Sequence, residues 1–139
     1  MHIATQRIYS ALKDVEGLKV FTNDTERGSD AWVQFGLQNG GSYRIRFISK
    51  DEDNDVAVRV FSLIKINDDQ RTTIINLLND LNCEYRYAKF CCGKDGDINV
   101  EYDYPVRGKS PEDSAEEIIL RFVKIIKDAY PRLMRALWQ

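Results

Sequence analysis

The stretch YAKFCCGKDGDINVEYDYP, Tyr87 to Pro105, decides how this chain is read. Two adjacent cysteines, Cys91 and Cys92, stand beside a Gly-Lys-Asp-Gly-Asp run, so the segment is either a redox or metal site or a β-hairpin. Register separates the two. If Lys94, Asp95 and Gly96 form a three-residue loop with Gly96 left-handed, Gly93 pairs with Asp97. Cys92 then faces Ile98, Phe90 faces Val100 and Ala88 faces Tyr102, while Lys89 meets Glu101 as an ion pair on the opposite face. A two-residue Asp-Gly turn would instead set Phe90 against Glu101 and Lys89 against Tyr102. The first register separates polar from apolar and is preferred. Neighbouring strand residues point to opposite faces, so Cys91 and Cys92 cannot grip one ion together. Cys92 is expected in the core, Cys91 on the other face. The Asp-Gly-Asp run lacks the late Glu of a calcium loop.

Working outward, Ile8, Ala11, Leu12 and Val15 repeat at helical spacing ahead of Gly17, which predicts a first helix from Thr5 to Glu16. GLKVFTNDTERGSD reads as a short apolar stretch and a polar loop. Three strands follow, AWVQFGLQ, YRIRFIS and VAVRVFSLIKI, joined by Asn-Gly-Gly and by the acidic run KDEDND. A solvated loop accounts for that run better than a cation site. Asn67 or Asp68 can cap a second helix whose stripe is Ile74, Ile75, Leu77, Leu78 and Leu81. Ser110 as N-cap and Pro111 at the first helical position start a third helix, which Pro131 should kink or break. The order α-β-β-β-α-β-β-α describes one α+β domain over residues 1–139, an antiparallel sheet with helices packed on one face.

Composition narrows the function classes. The 139 residues are 43% hydrophobic and 30% charged with a net charge of −2, as a folded domain requires. The acidic balance argues against nucleic acid, which needs a clustered cationic face. No apolar run reaches the roughly 18 residues of a membrane span, and three cysteines without framework spacing suggest a reduced, cytoplasmic chain. His2 is the single histidine, so Ser-His-Asp, Cys-His and His-zinc arrangements have almost nothing to draw on. No phosphate-cradling glycine motif is present. No catalytic residue, cofactor or metal is therefore expected.

The first hairpin yields the candidate site. With Asn39, Gly40 and Gly41 as loop and Gly41 left-handed, Val33 opposes Phe47, Phe35 opposes Ile45 and Leu37 opposes Tyr43. The outer face then pairs Gln34 with Arg46, Gly36 with Arg44 and Trp32 with Ile48. In the third strand Val56, Val58 and Val60 point inward, leaving Arg59, Phe61 and Leu63 outside. A basic zone (Arg44, Arg46, Arg59) thus lies beside an apolar one (Trp32, Ile48, Phe61, Leu63), the chemistry of a protein-binding hot spot. Two alternatives stay open. The end of the chain around Leu133, Leu137 and Trp138 could cover the apolar zone, or a bulge could return Phe61 to the core.

The segment IINLLNDLNCEYRYAKFCCGKDGDINVEYDYPV, with LKDVEGLKVF before it and AYPRLMRAL after, resembles the YbjN-like family, labelled sensory transduction regulators. The resemblance implies an architecture similar to type III secretion chaperones, which often dimerise and hold client segments. It also implies a helix C-cap role for Asn82 and carries over no catalytic residue. The expectation is a non-enzymatic interaction module, chaperone-like or regulatory, with an unknown protein or peptide partner and possible homodimerisation. The alternative is a small-ligand sensor with a pocket between the sheet and the second or third helix.

Overall fold

Strict alternation of apolar and polar side chains builds the sheet of the computed structural model, which describes residues 1–38, 40–50, 55–106 and 110–138. Asn39 of the first hairpin loop and residues 51–54 of the acidic run lie outside the described residues. The strands are β1 (Phe21–Thr25), β2 (Gly28–Gly36), β3 (Ser42–Ser49), β4 (Asp55–Lys65), β5 (Lys89–Cys92) and β6 (Asp97–Pro105). They form one antiparallel sheet in the order β1-β2-β3-β4-β6-β5. One face is continuous core: Val33, Ile45, Phe47, Val56, Val58, Val60, Ile98, Val100 and Phe90 are all buried. The fold is α+β, as expected, with one strand more than the sequence suggests.

That extra strand, β1, has no apolar period, and all five of its residues are exposed. Its turn, Glu26-Arg27, carries none of the usual Asn-Gly or Asp-Gly chemistry. The Thr25 hydroxyl holds it instead, accepting from Arg27 N–H and donating to the Gly28 carbonyl. The β5–β6 hairpin forms in the preferred register, Cys92 with Ile98, Phe90 with Val100 and Lys89 with Glu101. Gly96 is left-handed (φ 87°), and a Cβ there would come within 2.2 Å of the Ile66 carbonyl oxygen, so only glycine serves. The β2–β3 hairpin differs from expectation by two residues: Val33 pairs with Ile45, Phe35 with Tyr43 and Trp32 with Arg46. Leu37 N–H closes the turn on the Gly41 carbonyl at 2.8 Å, and Gly41 is not left-handed. A slip of two keeps every side chain on its face.

Three helices cover the core face. Helix α1 (Ile3–Leu12) is shorter than expected and is fastened to β2 through Ser29, whose hydroxyl accepts from His2 N–H and donates to Thr5 Oγ1. A 3-10 turn at Asp68–Gln70, closed by reciprocal Asn67 and Gln70 bonds, leads into α2 (Arg71–Glu84). Ile74, Leu78 and Leu81 are the buried part of its stripe, while Ile75 is exposed. Helix α3 (Glu112–Leu137) buries Ala115, Ile118, Ile119, Phe122, Ile125, Ile126, Ala129 and Leu133 along one stripe. It runs unbroken through Pro131. A proline inside a helix costs about 3 kcal/mol, through one lost bond and the clash of its ring with the preceding turn, and burial of Ala129 and Leu133 on either side offsets it. Ser110 does not cap the helix with its side chain; Pro111 is the cap, and the Ser110 hydroxyl accepts from Arg7.

Asn82 is not the C-cap that the resemblance implies. It lies inside α2, where its carboxamide accepts from Phe90 N–H (2.7 Å) and donates to the Phe90 carbonyl (3.0 Å). Phe90 is on the free side of edge strand β5, so the amide takes the place of a missing strand neighbour. Lys89, although opposite Glu101 in the ladder, makes no ion pair with it. Its ammonium donates to the carbonyls of Asn82 (2.8 Å) and Tyr85 (2.9 Å), completing the end of α2. At the other end, Arg71 donates to the Lys94 carbonyl at 2.9 Å. Asn82→Ala should cost about 2 kcal/mol, because two bonds go and a partly buried peptide group is left unpaired. Urea unfolding measures the loss, and hydrogen exchange should show the Phe90 amide opening first; unchanged protection at Phe90 would contradict the clasp.

Candidate functional site

The outer face of the sheet carries no helix. Gln34, Arg44 and Phe61 stand exposed on its central strands, and Phe21 joins them from the edge. The end of the chain does not cover it: Leu133 is in the core, Leu137 packs beside it and Trp138 is 82% exposed. The pairings place one row of outer side chains across all six strands: Phe21, Trp32, Arg46, Arg59, Glu101 and Lys89. Phe21 stacks on Trp32 with ring centroids 4.4 Å apart, and the Arg44 guanidinium lies 4.1 Å over the same tryptophan. Arg46 reaches toward Phe61, 6.0 Å from its ring centre.

The expected basic zone is largely neutralised within the sheet. Arg46 donates from Nε to Asp30 at 2.7 Å, and that aspartate is almost fully buried. Arg59, only 17% exposed, pairs with Asp103 (2.7 Å) and Glu101 (3.5 Å). Arg44 alone of the three makes no ion pair among the described residues. Trp32 and Ile48 are half-buried. The bulge in β4 is real, but it does not return Phe61 to the core. Val60 pairs with Val100 and Ile64 with Ile98, so Phe61, Ser62 and Leu63 together span the single residue Asn99. Ser62 takes a left-handed backbone (φ 52°), and its N–H donates to Asn99 Oδ1 at 2.8 Å. Phe61 therefore points outward at 49% exposure, while Leu63 packs against the core instead of sharing that side.

Phe21 is the contributor that sequence reasoning missed, because its strand looked like a loop. The cysteines add no site. Cys91 faces outward and Cys92 packs on the core, and all three thiols are free. Burial, helped by the nearby Glu101 charge, pushes the Cys91 thiol up and makes it a poor nucleophile. Among the described residues no three His, Cys, Asp or Glu converge as metal ligands, and no helix is long and apolar enough to cross a membrane.

A second concavity of about 260 Å³ lies between the end of β6 and the first turns of α3. Tyr102 and Tyr104 stack in it, and Tyr87 meets Tyr102 edge-on at 5.4 Å. Tyr87 is left-handed (φ 71°), a costly state for a bulky residue. The Arg121 guanidinium 4.7 Å over its ring, itself paired with Glu117 at 2.8 Å, holds it there.

Tyr43, on the core side of β3, has a buried hydroxyl with no partner among the described residues. Burial pushes its ionisation from 10.0 up to about 12. Between those values the unfolded chain ionises this phenol and the native one does not, so stability is full below pH 10 and is lost as pH rises toward 12. Tyr104 is raised for the same reason and adds to the loss. Tyr43→Phe should leave neutral-pH stability unchanged or about 1 kcal/mol higher and make the alkaline decline shallower. Urea midpoints across that pH range test this; an unaltered decline would contradict it.

The comparisons with known proteins agree with the fold-level resemblance. No curated protein and no solved structure matches the chain. The family model described as "Putative bacterial sensory transduction regulator" matches residues 16–135, which takes in the whole sheet, α2 and most of α3. The chain belongs to the YbjN family.

Proposed function

We propose that this protein is a non-enzymatic interaction module, regulatory or chaperone-like, that docks a protein or peptide partner on the uncovered face of its sheet. The observation that carries this reading is the aromatic row Phe21–Trp32, extended by Arg44 and Phe61, on a face that no element of the described chain covers. Pre-stacked rings lose little freedom on binding, and an arginine over an indole offers both charge and flat apolar area. Arg44 sets orientation against an acidic partner. The family description as a regulator is consistent with such a role. Partner and homodimer are both occupants this surface fits.

Trp32→Asp combined with Phe61→Lys tests the proposal. The double variant should keep its helical circular dichroism, since neither side chain lies in the core and the Phe21 stack on Trp32 holds only edge strand β1. It should lose self-association in light scattering and lose any protein co-eluting with the tagged wild type. Unchanged oligomeric state together with unchanged capture would sink the reading.

The tyrosine-lined cleft supports a second reading, a small-ligand sensor. A metabolite that binds there should raise the melting temperature, and Arg121→Ala should abolish the rise by releasing Tyr87. A panel giving no shift, or a shift indifferent to Arg121, would dispose of it.

A further inference from the structure

Between β3 and β4 the hydrogen-bonded ladder is interrupted. The two strands pair only at Arg46–Arg59, Phe47–Val58 and Ile48–Ala57. Beyond that, Ser42–Ile45 is paired on the β2 side alone while β4 turns into its bulge. Over this interruption lies a depression of about 300 Å³ on the outer face. Gln34, Ser42, Arg44, Arg46 and Ser62 supply its polar lining, with Phe61 as the apolar part.

Its polar groups are donors in excess. Among the described residues two guanidiniums line it and no carboxylate does, in a chain whose net charge is −2. Among the described residues Arg44 has no ion-pair partner, and Arg46 gives Nε to Asp30 with no bond from either Nη. Gln34 Nε2 donates to the Ser42 hydroxyl at 2.9 Å, so the hydroxyl hydrogen is directed elsewhere. The main chain adds another donor. Leu37 N–H to the Gly41 carbonyl fixes the ladder alternation, which turns the Arg44 peptide toward β4, where it has no ladder partner.

Resting on the docking face proposed above, we infer that this depression is its anchoring subsite, and that it takes the side-chain carboxylate of an Asp or Glu in an extended partner segment. Charge-assisted bonds from Arg44 and Arg46 hold the carboxylate. An apolar neighbour of the acid lies against Phe61. Asp30, already seated on Arg46, shows that an acidic side chain suits this surface. A phosphate would gain nothing from the rings beside the donors.

Titration of the 15N-labelled protein with N-acetyl-Asp-Phe-amide, followed through the Arg44 and Ser62 amides, tests the assignment. Saturable shifts are expected, and N-acetyl-Asn-Phe-amide should bind at least about tenfold more weakly, since it forfeits the charge-assisted bonds. Arg44→Gln should impose a similar loss and Arg44→Lys a smaller one, with melting temperatures unchanged because the side chain is exposed. Absence of saturable shifts, or equal binding of the Asn compound, overturns the subsite. Tighter binding of inorganic phosphate, or of N-acetyl-phenylalanine with its free carboxylate, overturns the side-chain assignment in favour of that other anion. If the dipeptide fails while Trp32→Asp with Phe61→Lys still loses its partner, the docking face stands without this subsite. The reverse pair of results separates them the other way.

Discussion

Helices on one side only is the constraint from which the remaining features follow. The 26-residue α3 lays a full stripe of Ile, Phe, Ala and Leu on the sheet, and α1 and α2 complete that layer. Everything on the opposite face must then be compatible with solvent or a partner. The row from Phe21 to Lys89 shows how this is managed, with rings stacked on rings at one end and charges paired with charges at the other. A central arginine such as Arg59, flanked by Glu101 and Asp103, is already satisfied and offers little to a partner. Arg44 differs because its neighbour is an indole and not an acid.

The two edges of the sheet are handled by different physics. β5 is sealed by α2, with Asn82 occupying the hydrogen-bonding positions of Phe90 and with Lys89 and Arg71 binding carbonyls at the two ends. β1 has no such cover. It is short, carries Thr, Asn and Asp, and exposes every residue in part, which discourages edge pairing by solubility alone. An open face next to a polar edge favours docking through side chains over strand addition, because the edge offers few apolar pockets to an incoming strand.

How much of this was legible in the sequence varies with the range of the interaction. The β5–β6 hairpin was readable because Gly96 admits one turn and polar residues segregate in one register. Asn39-Gly40-Gly41 allows several turns, and a two-residue slip leaves the apolar pattern intact, so the faces of Trp32 and Arg44 were legible but their partners were not. β1 is held by Phe21 on Trp32 and by the Thr25 hydroxyl, neither of which leaves a periodic trace. Asn82 and Lys89 depart from expectation for a shared reason. The resemblance implies a helix C-cap for the first and the hairpin register an ion pair for the second, whereas α2 against β5 brings each a partner from another element.

The same logic explains why the bulge matters more than the residues expected around it. A regular β4 would have placed Leu63 beside Phe61 and widened an apolar patch. Three residues against Asn99 instead send Leu63 to the core, and the ladder to β3 stops before the bulge. Left-handed Ser62 is costly, but Asn99 recovers its N–H and the core gains Leu63, so packing offsets the strain. The consequence on the outer face is a gap where donors gather without an acceptor. Interrupted, the sheet leaves a depression in which, among the described residues, two guanidiniums and an unpaired Arg44 peptide face no carboxylate.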